Sequence, residues 1–303
     1  MSKNIKSQIF YALESNFHEG MSKHSLKAQN GNRDYGSKIF SYQSLNGLKD
    51  TAKDFANFMK SKHPEIKKVV HIRQEHVKEF LDSKVATSRN LTLQTYATRL
   101  NKIGICCSET YNKRLNFKVE APQKEGQSEK IRVGAMEKSD FNKVLETSYN
   151  CDSKKAIQLA GAFGLRVSEC VHLRPCDINL NNQTIFIHQG KGGRDRTLEI
   201  RTNEQKQIIT ELNKIKGKEN EPILKVKADS VNQYLSNNLK RLGITKYSMQ
   251  KTGVHSIRKM YATERYNELR DKGLNHRKAW DVVSNELGHG KGREDLFKVY
   301  VVK

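Results

Sequence analysis

No apolar run in this 303-residue sequence approaches the roughly 18 residues that a membrane-spanning helix needs. No basic amphipathic pattern carries a strongly apolar opposite side either, so neither insertion in a membrane nor attachment to its surface is expected. The N-terminal Met1-Ser-Lys-Asn-Ile-Lys is not followed by an apolar core and a small-residue cleavage site, so no secretory signal is read and a cytosolic protein is expected. Cysteine is scarce: Cys106, Cys107, Cys151, Cys170 and Cys176 are odd in number and lack framework spacing, which suits reduced thiols and excludes a disulfide scaffold. Cys170, His172 and Cys176 lack the paired second half of a metal site. A Walker loop is absent, which removes the motif-based case for ATP hydrolysis, and there is no internal repeat.

Acidic side chains are also in deficit. Against 33 Asp and Glu stand 55 Lys and Arg, a formal net charge of +22. The excess is spread along the chain rather than held in a tail, so both halves would face a polyanion, and nucleic acid is favoured over lipid. A chain of this length can bury two separate cores, and neither disulfides nor a structural metal is required.

Residues 1–40 are polar, basic and rich in Asn, Gly and Ser, and read as a weakly structured basic arm with one short helix around Ile9, Phe10 and Leu13. Helical spacing follows at Leu45, Leu48, Ala52, Phe55 and Met59, stopping before Pro64, and again at Val77, Phe80, Leu81 and Val85. A third pattern, capped by Asn90 or Thr92, runs through Tyr96, Leu100 and Ile103 to a stop at Gly104. Residues 41–115 therefore read as a small all-helical domain. Residues 116–132, with Pro122, Gly126 and no apolar face, read as a linker. Residues 133–303 form a second domain with helical patterns on either side of one hairpin: Thr184-Ile-Phe-Ile-His188, a turn Gln189-Gly-Lys-Gly-Gly193, and a strand from Arg194 to Ile200. The fold class is mainly α with a small antiparallel β-sheet.

Five places in that second domain present groups that bind phosphate or move protons. In Gly164-Leu-Arg166-Val-Ser-Glu169, an arginine follows a helix break and can aim a two-pronged guanidinium at a phosphate. Lys191, on the glycine-flanked hairpin tip, can reach a groove and protonate a leaving oxygen. In His255-Ser-Ile-Arg258 the i, i+3 spacing sets imidazole and guanidinium side by side, while Ile257 and Tyr261 turn to a core. His289 emerges where Gly288 ends a helix striped by Trp280, Val283 and Leu287. Tyr300, eleven residues on, offers a phenol that can store a phosphodiester bond covalently. Each of these alone is ordinary surface or packing chemistry; the set in this order is not.

The order Arg166, Lys191, His255 with Arg258, His289 and Tyr300, through GLRVSE, QGKGG, HSIR, LGHG and the final tyrosine, resembles the tyrosine recombinase family, which includes phage integrases and Xer-like resolvases. The resemblance covers the whole second domain. The helical first domain, with Thr92-Leu-Gln-Thr-Tyr96, looks like the family's core-binding domain. The resemblance implies that Arg166, Arg258 and His289 hold a scissile phosphate in double-stranded DNA and that Tyr300 attacks it to give a 3′-phosphotyrosyl enzyme. Lys191 would then protonate the leaving oxygen, with His255 assisting and Glu169 holding the Arg166 loop or His255 from behind. Bond energy stored in the ester makes metal and ATP unnecessary, so no cofactor is expected. The resemblance further implies a tetramer across paired sites, accessory DNA-bending factors, and a bacterial or phage source. The rival roles are an Xer-like dimer resolvase, a relaxing topoisomerase, and a non-catalytic DNA-binding protein that kept the fold. The gap from His289 to Tyr300 is slightly longer than the family's usual one, so the nucleophile is expected on a more flexible segment.

Overall fold

The apolar spacing near the N-terminus forms a helix, α1 (Ile5–Ser15), in a computed structural model that describes residues 4–21, 36–125, 134–190, 194–215, 217–247 and 253–301. The Asn4 side chain accepts the Ser7 N–H and starts the helix. Ile5, Ile9, Ala12 and Leu13 recur at i, i+4, i+7 and i+8 and are all buried. That stripe packs against α2 (Tyr42–Lys62) and α4 (Asn90–Tyr111), with α3 (Gln74–Lys84) beside them. The helix assigned to an N-terminal arm is thus part of a helical core, because four apolar residues on one face are better buried than solvated. Two compact units result, Met1–Lys130 and Ile131–Lys303.

Two details of α4 depart from the sequence reading. Asn90 lies inside the helix rather than capping it, and its side chain pairs with the Lys124 backbone, accepting the N–H at 2.9 Å and donating to the carbonyl at 3.1 Å. The helix also runs through Gly104 to Tyr111 and ends at Asn112 in the left-handed conformation. Gly104 is a packing site and not a stop: a Cβ there would lie 2.7 Å from Cβ of Phe117. Phe117, in the stretch read as linker, is 1% exposed and stacks edge-on against Phe55. The stretch therefore begins as part of the first unit's core.

The second unit opens with α5 (Lys138–Thr147), α6 (Asp152–Phe163) and the short α7 (Val167–His172). A three-stranded antiparallel sheet follows in the order β1 (Ile178–Asn179), β2 (Thr184–Gly190), β3 (Arg194–Glu199). The hairpin has the expected strands, with β1 as an addition; its tip, including Lys191, lies outside the described residues. Then come α8 (Asn203–Asn213), α9 (Ala228–Arg241), α10 (Gly253–Asp271), α11 (His276–Glu286) and α12 (Glu294–Tyr300). Helix α10 packs against α6, α9, α11 and α12, joining a large core around Phe141, Phe163, Leu235 and Ile257 to a smaller one around Trp280 and Leu287. No described helix is long and apolar enough to cross a membrane.

Gly104→Ala sets helix propensity, which gains about 1 kcal/mol, against overpacking on Phe117, which costs about 1–3 kcal/mol. The rigid ring makes overpacking dominate. The variant should lower the urea midpoint of the first unit, and a raised midpoint would show that Phe117 does not pack there.

Candidate active site

Arg166 is fixed by its own backbone. Helix α6 stops at Gly164, whose φ of +64° and close approach to Tyr261 both require glycine: a Cβ would meet the Tyr261 ring at 2.3 Å. The chain then turns into α7 with Arg166 as its N-cap residue. The Arg166 N–H donates to Glu169 Oε2 at 2.8 Å and its guanidinium donates to Oε1 at 2.7 Å. Glu169 therefore holds the Arg166 loop, one of the two roles expected for it.

The same carboxylate receives two more arginines. Arg196, on β3, grips it with both forks at 3.0 and 2.8 Å, and Arg258 Nη1 lies 3.8 Å away. The Glu169 side chain is 4% exposed. Burial alone would raise its pKa, but hydrogen bonds and charge from Arg196, with help from the Arg166 backbone and Arg258, hold it down to about 2. Sequence reasoning missed Arg196. The available signal was strand alternation, since Arg196 shares the inward face of the hairpin with Leu198 and Ile200, where a charge needs a buried partner.

Helix α10 supplies His255, exposed, and Arg258, 1% exposed. Arg258 donates to the carbonyls of Gly164 and Leu287, bridging the Arg166 loop and the end of α11. Its Nε is fully buried and has no partner among the described residues. An unmet charged donor costs more than the roughly 1–3 kcal/mol of a neutral one, so the atom calls for an acceptor that the described residues do not provide. Burial, then the neighbouring Arg166, pull the Arg258 pKa down to about 10, leaving it charged at neutral pH.

His289 follows Gly288, which has φ +73°, and donates its N–H to the Ser284 carbonyl at 2.9 Å. Its Nε2 lies 3.5 Å from Arg258 Nη2, and since arginine only donates, that nitrogen is the acceptor. Burial first, then Arg258 and Arg166, bring its pKa down to about 3, so the ring is neutral and keeps an N–H at Nδ1.

Tyr300, 6% exposed, ends α12 and sits among these groups. Its ring centroid is 5.0 Å from that of His289 and 5.4 Å from that of His255, and the Arg258 guanidinium carbon stands 5.6 Å from it. The segment before it is tied down rather than loose. Ser284 donates to the Gly290 carbonyl, Gly292 N–H donates to Asp281, and Trp280 Nε1 donates to the Arg293 carbonyl. Arg166, His255 and Arg258 line a cleft of about 180 Å³ beside Asn232. Five of the six expected side chains thus converge with Glu169, and Lys191 lies outside the described residues. Three guanidinium groups against one carboxylate leave positive charge, with buried donors suited to a tetrahedral phosphate.

Residues 134–284 match the model of the phage integrase family. A curated relative, tyrosine recombinase XerA of Pyrococcus horikoshii, is 26% identical over 162 residues, covering 51% of this chain; the match spans about half (52%) of that relative's length. The fold is that of XerH site-specific recombinase bound to its difH substrate, with a TM-score of 0.63 and 16% identity over 99% of this chain and 91% of that one. A lambda integrase tetramer bound to a Holliday junction gives 0.61 and 13% over 97% of this chain and 76% of that one.

Replacing Glu169 by Gln leaves three arginines facing a neutral group and should destabilise the second unit at pH 7 by about 3–5 kcal/mol. The native carboxylate pKa is depressed from 4.5 to about 2, so its contribution is complete above pH ~4.5 and lost as pH falls toward 2, a swing of about 3 kcal/mol. Denaturant unfolding should show the gap between wild type and Glu169→Gln narrowing through that window. A gap unchanged with pH would mean the carboxylate is not held ionised by these arginines.

Proposed function

We propose a function for a chain that belongs to the phage integrase family through residues 134–284: it breaks and rejoins double-stranded DNA at specific sites, with Tyr300 as the nucleophile. The phenol oxygen attacks phosphorus and the bond to the 5′ oxygen breaks. A phosphotyrosine at the 3′ end and a free 5′ hydroxyl remain. Arg166 and Arg258 offset the charge on the non-bridging oxygens, and the neutral His289 donates from Nδ1. His255, beside the Tyr300 ring, takes the phenol proton, and Lys191 gives one to the leaving oxygen. Attack by the freed hydroxyl of a second duplex reverses the step and completes strand exchange. The phosphodiester energy is kept in the tyrosyl ester, so ATP has no part in the balance.

The observation that carries this reading is the buried Nε of Arg258, without a partner among the described residues, within one cluster that also holds a tyrosine, two imidazoles and a second arginine. A protein that only bound DNA would have no use for a buried phenol packed on that guanidinium. The net charge of +22 supports a DNA partner held with strong salt dependence. Assembly as a tetramer on paired sites, with accessory DNA-bending proteins, and action in the cytosol on nucleoid DNA complete the proposal. The role is integration or excision of a mobile element. Similarity to XerA favours a second role, resolution of replicon dimers, which uses the same chemistry.

Wild type and Tyr300→Phe are incubated with nicked duplexes carrying candidate sites from the element's ends and run on a denaturing gel. Wild type should give a covalent protein–DNA band and Tyr300→Phe none, with unchanged DNA binding. Tight binding without a band on any site would move the protein to the non-catalytic class.

A further inference from the structure

The geometry points to Arg196 as a positioning residue for strand cleavage, locking the Arg166 loop to the His289 loop without itself touching the phosphate. This rests on the phosphotyrosyl reading above. Arg196 joins both loops through one guanidinium, as Arg258 does through the Gly164 and Leu287 carbonyls, but by way of the Glu169 carboxylate: its two forks take both oxygens of Glu169, and its Nε donates to the Glu286 carbonyl at 2.8 Å. Glu169 in turn fixes Arg166 by backbone and side chain, and the Glu286 carbonyl closes α11 immediately before Leu287, Gly288 and His289.

The surroundings are built for that bridge. The Arg196 side chain is 7% exposed. A Cβ at Gly288 would lie 2.9 Å from Arg196 Nη1, so the guanidinium lies directly against the glycine that aims His289. Below it, the Glu286 carboxylate accepts from Arg201 at 2.7 Å and from the Tyr261 hydroxyl at 2.7 Å, which anchors the end of α11 to α10. Every donor on the working face of Arg196 is directed at protein, whereas Arg258 keeps one unmet. Lysine cannot replace it, because a point charge cannot serve two carboxylate oxygens and a carbonyl in one plane.

Five proteins test this: wild type, Arg196→Lys, Arg196→Gln, Glu169→Gln and Arg196→Gln with Glu169→Gln. Single-turnover cleavage of the nicked duplex should fall by about 10–100-fold in Arg196→Gln, as for partners that orient a site's ligands. Arg196→Lys should recover little. The double variant should be scarcely slower than Glu169→Gln alone, since both losses act through one contact. A scissile methylphosphonate, which lacks one negative oxygen, needs the arginine clamp less, so the Arg196→Gln deficit should shrink on it; a general folding defect would be equal on both substrates. Additive effects, or equal deficits on both substrates, would overturn the proposal. The DNA-free proteins give a readout independent of the reaction: the Arg166 backbone N–H order parameter, near 0.85 in a rigid backbone, should drop below about 0.6 in Arg196→Gln. If Arg166 stays equally ordered, the proposal fails even where wild type cleaves. If wild type forms no covalent band but the order parameter drops, the cleavage reading fails and the positioning role stands.

Discussion

One buried carboxylate holds the second unit's arginine cluster in place. Glu169 is reached by Arg166 from the same helix, Arg196 from the sheet and Arg258 from α10, three segments far apart in sequence. Moving an ion of either sign from water costs several kcal/mol, and attraction repays it only if every lone pair and donor is engaged. Glu169 meets that condition, accepting from Arg166 and Arg196 on both oxygens. Arg258 does not, and the imbalance sits at the centre of the cluster. The carboxylate compensates enough charge to let the arginines be buried together, and leaves enough uncompensated to attract an anion.

A second constraint places the tyrosine. Helix α12 is short and would not persist alone, so its position is set by tertiary contacts. Phe297 packs edge-on against Trp280 and His276, and His276 is held between the Tyr266 hydroxyl at 2.7 Å and Glu294 at 2.8 Å. At its end, Thr263 of α10 donates to the Tyr300 carbonyl. The connection from His289 to Tyr300 thus brings its own tethers, with Gly288, Gly290 and Gly292 all at positive φ to make the turns. Length in sequence did not translate into looseness, because Asp281, Ser284 and Trp280 meet the connection's backbone.

What could be read from the sequence was what short-range chemistry governs. Helix periodicity, the break at Gly164, the hairpin and the order of the basic and aromatic groups all follow from local spacing. Three kinds of feature did not. Asn90 and Gly104 look like helix punctuation, yet their roles are set by Lys124 and Phe117, which return to them from the stretch taken as linker. Arg196 looks like one more cation among 55; only the partner across the unit, Glu169, distinguishes it. The short helix around Ile9, Phe10 and Leu13 is visible, but its polar, basic neighbourhood reads as an arm and hides the four-residue stripe of Ile5, Ile9, Ala12 and Leu13 that is buried. In each case the deciding contact is distant in sequence.

Covalent attachment of the DNA to Tyr300 is the step on which the proposed reaction depends. Wild-type protein trapped on a nicked duplex would be digested with trypsin and nuclease and the adduct sequenced by mass spectrometry. The expected adduct is a nucleotide joined through its 3′ phosphate to the phenol of Tyr300, in the peptide that follows Lys298, with the other DNA end bearing a free 5′ hydroxyl. An adduct on any other residue, or attachment through a 5′ phosphate, would contradict it.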